Sequence, residues 1–199
     1  MDVDFTTASW INPPASFEVS KDAVEITTDP NTDLWQRSFY GFRSDNASAL
    51  VFENDINITF AARASFEYRT RYDQCGLLVY LDGDNWFKAS VELENRTFSR
   101  LGSVVTNNGY SDWATVDVPT PTSMWYRLSR RGPDFLIESA ADGTHYRQMR
   151  IFHLHRLGET TEAMGSLDPP APAELPVRFG IYACSPLDSS FEARFDSFE

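Results

Sequence analysis

The chain has 199 residues and a formal net charge of −12, and 14 % of its residues are aromatic. This length fits one domain, so residues 1–199 are predicted to form a single domain. The acidic balance argues against a nucleic-acid partner, which requires clustered Lys and Arg, and against anionic membrane surfaces. Because the N-terminus has no basic segment followed by an apolar run, we expect a cytoplasmic protein.

The first clear element is a strand over residues 56–68. Apolar side chains alternate with polar ones from Ile56 to Tyr68. Alternation with a period of two is typical of a strand that has one face in a core and the other in solvent.

Further strands follow at short intervals, separated by turns rich in Asn, Asp and Gly. The predicted strands are Cys75–Leu81, Trp86–Leu93, Phe98–Thr106, Asp112–Val118, Met124–Arg131, Phe135–Ala140, Tyr146–Leu154, Val177–Cys184 and Phe191–Phe198. Strands at this spacing predict an all-β fold, a two-sheet antiparallel jelly-roll sandwich. The polar and Pro-rich stretch at about 155–175 is predicted to be a surface loop.

The hairpin over residues 75–93 predicts two different sheet faces. One face carries apolar residues, and the other is predicted to carry Gln74, Gly76, Leu78, Tyr80, Trp86, Lys88, Ser90 and Glu92. A plain four-residue loop would mix the two faces, so we expect an odd loop or a bulge, for which Gly83 is the candidate.

A sugar ring stacks on aromatic side chains while polar groups bind its hydroxyls, which is a general pattern of small-ligand sites. Such a ligand-binding site is predicted on the outer face of one sheet. The candidate residues are Gln74, Trp86, Lys88, Glu92, Tyr110, Trp113, Arg127 and Tyr182. Each aromatic residue taken alone is more often part of a core or a rim.

Glycoside hydrolysis requires two carboxylates at a defined separation. Glu92 is the best candidate, with Asp73, Glu67 or Asp112 as its partner. However, Lys88 is expected on the same face, where an ion pair would lower the pKa of Glu92 and make it a poor general acid. We therefore assign no catalytic residue.

The cysteines and histidines form no metal-binding or nucleophilic pattern. Cys75 and Cys184 lie in apolar runs, so buried free thiols are favoured over a disulfide. His153 and His155 are two residues apart, but a third ligand would have to come from elsewhere. We predict no metal and no cofactor.

Several segments together resemble a known family. They are Tyr72–Val79, Trp86–Glu92, Ser103–Thr106, Tyr110–Trp113, Trp125–Arg130, Gly180–Pro186 and Phe191–Phe195. This pattern is similar to a domain family of unknown function that occurs in bacterial proteins and in fungal proteins named for the regulation of enolase. The resemblance implies a concanavalin-A-like sandwich and a cytoplasmic role in the control of enolase during galactose metabolism. It brings no established catalytic residues.

Three functions follow from these observations, in decreasing order of support. The first is a non-catalytic regulatory or interaction protein that acts on enolase or another regulatory protein. The second is a carbohydrate-binding module, and the third is a glycoside hydrolase that uses Glu92.

Overall fold

A computed structural model describes residues 3–161 and 172–199. Their strands are numbered β1 to β16 in chain order, and two 3-10 helices cover Phe5–Thr7 and His155–Leu157. The first sheet contains, in spatial order, β1 (Ser9–Ile11), β6 (Ser48–Ile56), β15 (Pro172–Cys184), β8 (Gln74–Asp82), β9 (Asn85–Leu93), β10 (Ser99–Asn107) and β11 (Tyr110–Val118).

The second sheet also has seven strands. In spatial order they are β14 (Arg147–His153), β13 (Asp134–Ala140), β12 (Ser123–Arg131), β7 (Thr59–Phe66), β16 (Glu192–Asp196), β3 (Ala23–Thr27) and β2 (Ser16–Val19). A separate hairpin joins β4 (Leu34–Gln36) to β5 (Arg43–Asp45). Neighbouring strands of these sheets pair antiparallel, which confirms the predicted all-β, two-sheet jelly-roll sandwich.

The main core lies between the two sheets. Phe60, Ala62 and Ala64 of β7 point into it, as the alternation predicts. Phe87 of β9 stacks on Phe152 of β14 with ring centroids 3.8 Å apart, so it joins the first sheet to the second. Complete burial of a side chain of this size stabilises a fold by roughly 1.5–3 kcal/mol.

The continuous strand predicted over residues 56–68 is wrong at its start. β6 ends at Ile56 in the first sheet, and β7 begins at Thr59 in the second. At the crossover the side chain of Asn57 accepts a hydrogen bond from Gly132 N at 2.7 Å. The alternation runs on through this change of sheet, so periodicity alone does not reveal the break. The sequence predicts no strand before residue 56, so β1 to β5 and most of β6 are additional to the predicted strands.

The two faces of the β8–β9 hairpin are confirmed. Tyr80 pairs with Trp86, and Gln74 pairs with Glu92. The register shifts between Tyr80 and Asp82, so Leu81 is the extra residue. Gly83 lies in the turn itself and is not the bulge, contrary to its predicted role.

The predicted loop at about 155–175 falls partly outside the described residues. The described part includes the 3-10 helix before residue 162 and the start of β15 at Pro172. Both cysteines are buried free thiols, as predicted. In the described part of the chain no helix is long and apolar enough to cross a membrane.

Candidate ligand-binding site

A second, smaller hydrophobic cluster covers the outer face of the first sheet, the face turned away from the second sheet. Leu34 and Trp35 of the β4–β5 hairpin belong to this cluster together with Trp86 and Tyr182. The hairpin is fixed to the sheet because Gln36 N donates to Ser111 Oγ at 2.9 Å. It covers only part of the face, and a pocket lies beside it.

Two small residues in neighbouring strands, Ser90 and Gly102, line this pocket. Ser90 in β9 pairs with Gly76 in β8 and with Gly102 in β10. A Cβ atom at Gly102 would lie 2.6 Å from a methyl group of Thr115, so a larger residue would not fit without displacing its neighbours. Larger polar residues flank this row, and the resulting cavity has a volume of about 310 Å³.

Aromatic rings form the walls. They belong to Trp35, Tyr40, Phe42, Tyr72 and Trp113. The rings of Trp35 and Trp113 are 6.4 Å apart at an angle of 82°, so they present two differently oriented surfaces. Tyr72 is held in the left-handed region at φ 75°, a strained conformation that occurs often at ligand sites.

A buried ion pair lies beneath these rings. Lys88 Nζ is 3.0 Å from Asp33 Oδ1, and only 5 % of the Lys88 side chain is exposed. Burial opposes the charge on Lys88 and is the largest single effect on its pKa, but Asp33, Cys184 and Glu92 together outweigh it, so the pKa of Lys88 is raised. The ammonium also faces the rings of Trp86 and Tyr182, 6.0 and 5.8 Å from their centroids.

Glu92 lies on the other side of the small-residue row. Its Oε2 accepts a hydrogen bond from Gln74 Nε2 at 2.9 Å. Gln74 is fixed in turn, because Tyr182 Oη donates to its Oε1 at 3.0 Å. The other oxygen, Glu92 Oε1, is buried and accepts no hydrogen bond from the described residues.

The predicted effect of Lys88 on Glu92 is wrong. Among the described residues Lys88 forms its ion pair with Asp33 and not with Glu92. Burial raises the pKa of Glu92 to about 7, and the attraction of Lys88 only partly opposes this. Alternation placed both residues on one face correctly, but it carried no information about Asp33, which comes from another segment.

The structure brings four of the predicted site residues together at the pocket: Gln74, Lys88, Glu92 and Trp113. Trp86 and Tyr182 are on the same face but are fully buried under the hairpin, where they contact Lys88 instead of the cavity.

Two predicted residues lie elsewhere. Tyr110 is 62 % exposed at the start of β11, with the Arg37 guanidinium 5.2 Å from its ring centroid. Arg127 is in β12 of the second sheet, where its Nε donates to Glu138 Oε2 at 2.8 Å. A strand of the second sheet cannot supply a group to the outer face of the first.

The carboxylates expected beside Glu92 are also elsewhere. Asp73 Oδ2 accepts hydrogen bonds from Arg69 N and Thr70 N and so stabilises a turn. Glu67 is exposed, and Asp112 pairs with Arg150 on the surface. The second carboxylate of the pocket is Asp33.

Asp33, Trp35, Tyr40 and Phe42 were missed by the sequence reasoning because residues 30–45 show no clear alternation. A usable signal was present, since residues 35–42 contain four aromatics. In the described residues no group of three or more His, Cys, Asp or Glu side chains is placed to hold a metal ion.

Comparison with known proteins identifies a sequence family that this chain matches. The profile of a family described as "Protein of unknown function (DUF1349)" matches residues 10–199. "Regulation of enolase protein 1" of Saccharomyces cerevisiae (strain ATCC 204508 / S288c) is 35 % identical over 149 residues, which cover 74 % of this chain and 74 % of that protein.

Solved structures support the same fold. A functionally unknown protein from Saccharomyces cerevisiae matches with a TM-score of 0.83 and 26 % identity, over 99 % of this chain and 97 % of that one. The GH43 protein BlXynB from Bacillus licheniformis matches with a TM-score of 0.68 and 15 % identity, over 100 % of this chain and 37 % of that one. At this identity the second likeness concerns the fold alone.

Proposed function

This chain belongs to the family described as "Protein of unknown function (DUF1349)", and we propose that it is a non-catalytic regulatory protein that binds a carbohydrate in the pocket beside the β4–β5 hairpin. The observation that carries the proposal is the combination of aromatic walls with a buried carboxylate that lacks one hydrogen-bond donor, at Glu92 Oε1. A ligand hydroxyl would supply that donor, and a sugar ring would stack on Trp113.

Calorimetric titration with a panel of neutral monosaccharides tests this proposal. We expect binding by the wild type at millimolar concentration, and a loss of at least about tenfold in the Trp113→Ala variant because a stacking surface is removed. Trp125→Ala is a matched control, since both residues are partly buried in strands beside an arginine. Absence of binding by the wild type, or equal losses in both variants, would contradict the proposal.

The regulatory role rests on the yeast relative, whose name refers to enolase. We propose that this chain also acts in the control of enolase in carbohydrate metabolism, including galactose use, and that it does so in the cytoplasm. Its two free thiols fit a reducing compartment. Co-purification with enolase from the same organism, with and without the sugars that bind, tests the link, and no change in enolase activity or abundance after deletion of the gene would refute it.

The strands support one cooperative unit for residues 1–199. The first sheet joins β1 to β6 and β6 to β15, so residues far apart in sequence share one sheet. We propose that the chain acts as a single domain, which predicts one unfolding transition in urea whether it is followed by fluorescence or by circular dichroism.

A second candidate, glycoside hydrolysis, is favoured by one observation. A carboxyl with a pKa of about 7 is suited to act as a general acid, and Glu92 shares its pocket with Asp33. Release of a chromophore from aryl glycosides by the wild type, lost in Glu92→Gln, would support an enzyme. No release by the wild type above the buffer rate would remove this candidate.

A further inference from the structure

The loop between β4 and β5, residues 37–42, carries aromatic side chains that the rest of the protein leaves largely uncovered. Phe39 is 98 % exposed, Tyr40 is 56 % exposed and Phe42 is 46 % exposed. Large apolar side chains that are exposed next to one another mark interaction or ligand sites, whereas single exposed rings are common on any surface. Tyr40 and Phe42 also line the pocket. Because these two rings are both exposed and part of the lining, they lie at its opening.

The rings form a continuous series from the inside of the pocket to the solvent. The ring centroids of Trp113 and Trp35 are 6.4 Å apart, and those of Trp35 and Tyr40 are 5.4 Å apart. Phe39 follows, with its centroid 5.1 Å from that of Tyr40. The successive ring planes are inclined by 82°, 60° and 87°, so each ring faces a direction of its own. Such a series fits a ligand made of several small rings joined by rotatable bonds better than it fits one flat apolar surface.

Hydrogen bonds hold this loop in place. Arg37 N donates to Phe42 O at 2.8 Å, and Gly41 N donates to Arg37 O at 2.6 Å. Arg37 Nη1 donates to Gly109 O at 2.7 Å, which ties the loop to the turn before β11. Phe39 is in the left-handed region at φ 61°, a conformation that costs free energy in a residue with a large side chain and that clusters at functional sites. The exposed rings are therefore oriented before a ligand arrives, which lowers the entropic cost of binding.

We infer that the pocket binds an oligosaccharide, with one sugar unit in the cavity and the next units on an outer subsite formed by Tyr40 and Phe39. The inference rests on the proposed function. The cavity volume of about 310 Å³ is at the lower end of the roughly 300–1,000 Å³ of small-molecule sites, so a longer ligand has to leave through the opening that Tyr40 borders. A single sugar would leave Phe39 uncovered, whereas the following units of a chain can stack on both exposed rings.

Calorimetric titration with sugars of increasing length tests the inference. The probes are glucose with cellotriose and maltotriose, and galactose with β-1,4-galactotriose. We expect at least one trisaccharide to bind at least about tenfold more tightly than its monosaccharide, because it stacks on two further rings. A smaller gain for every trisaccharide would overturn the inference and leave the proposed carbohydrate site standing. If none of these sugars binds, the proposed function fails, and the inference fails with it.

The Phe39→Ala variant assigns the gain to the loop. Its ratio of trisaccharide affinity to monosaccharide affinity should fall to about a third of the wild-type ratio or less, whereas Phe39→Tyr, which keeps a ring, should retain it. Phe17→Ala is the matched control, because Phe17 is 44 % exposed in β2 of the second sheet, and it should also keep the wild-type ratio. An unchanged ratio in Phe39→Ala, or an equal fall in Phe39→Ala and Phe17→Ala, would overturn the outer subsite.

The same variant distinguishes a sugar chain from a protein as the occupant of the loop. Phe39→Ala is compared with the wild type for the trisaccharide ratio and for co-purification with enolase. We expect the ratio to fall. If the ratio is unchanged while co-purification is lost, the loop docks a protein, and the inference is overturned.

Discussion

The two faces of β8 and β9 are built from the same strands, but one is apolar and the other carries buried polar and charged groups. The inner face carries Cys75, Leu77 and Val79 of β8 against Phe87 and Ala89 of β9, and all of them are buried in the core between the sheets. The outer face carries polar groups that are also largely removed from water, among them the ammonium of Lys88 and the carboxylate of Glu92.

The two faces differ in what they contribute to the molecule: one forms the core between the sheets, and the other lines the pocket. Apolar contacts on the inner face stabilise the sandwich without any polar partner. Charges on the outer face carry a desolvation cost that hydrophobic residues of similar size would avoid. The proposed ligand site accounts for charges in this place, since Lys88, Asp33 and Glu92 all line the adjoining cavity.

The largest expected effect comes from the inner face. Phe87→Ala removes a fully buried ring that stacks on Phe152, and we expect a loss of about 3–5 kcal/mol in the free energy of unfolding, measured in urea. Tyr110→Ala, at an exposed position on the same sheet, should change stability by less than about 0.5 kcal/mol. Similar losses in the two variants would show that the inner face is not the main source of stability.

On the outer face, removal of one partner of the ion pair should be costly. Lys88→Met leaves Asp33 without its cation, and we expect a loss of about 2–3 kcal/mol in the free energy of unfolding. Since the pair itself adds little net stability, the double variant with Asp33→Asn should recover most of this loss. If the loss in the double variant equals the sum of the losses in the single variants Lys88→Met and Asp33→Asn, the coupling between Lys88 and Asp33 is absent.

Glu92 should make stability depend on pH. Its pKa in the folded protein, about 7, lies above the ordinary value of 4.5, so the folded state binds the proton more tightly than the unfolded state. This tighter proton binding therefore stabilises the folded protein at low pH, and the stabilisation, about 3 kcal/mol for a shift of this size, is lost as the pH rises through 7. Urea unfolding at pH 5 and pH 8 should show this loss in the wild type and in Glu138→Gln, but not in Glu92→Gln. The same loss in Glu92→Gln would assign it to another group.

The smallest effect is expected at the rim of the outer face. Phe39 is 98 % exposed in the loop between β4 and β5, so Phe39→Ala should leave the free energy of unfolding within about 0.5 kcal/mol of the wild type. A loss above about 1 kcal/mol in thermal or urea unfolding would mean that this ring is packed in solution.

The same comparison explains what the sequence could predict. Strict alternation and a short connection determine the register of β8 and β9, so Gln74, Lys88, Ser90 and Glu92 were assigned to one face from the sequence alone. The extra residue in the connection was expected, although it is Leu81 and not Gly83.

The rest of the site depends on contacts between distant segments. Asp33 lies 55 positions before Lys88, and no local pattern indicates that the two meet. Trp86 and Tyr182 belong to the expected face, but whether a residue there is buried or lines a cavity depends on how far the β4–β5 hairpin extends over it. The raised pKa of Glu92 follows from the same tertiary burial, which outweighs the nearby charge of Lys88.

The most direct test of the central claim is to observe the five tryptophan side chains during a titration with neutral monosaccharides. Each indole N–H gives one signal in a ¹⁵N NMR spectrum, and Trp→Phe variants assign the signals. Trp35 and Trp113 line the pocket, whereas Trp10 and Trp125 lie in other parts of the fold. A pocket on the outer face predicts saturable shifts of Trp35 and Trp113 with Trp10 and Trp125 unchanged. Five unchanged signals, or shifts of Trp10 and Trp125 alone, would contradict it.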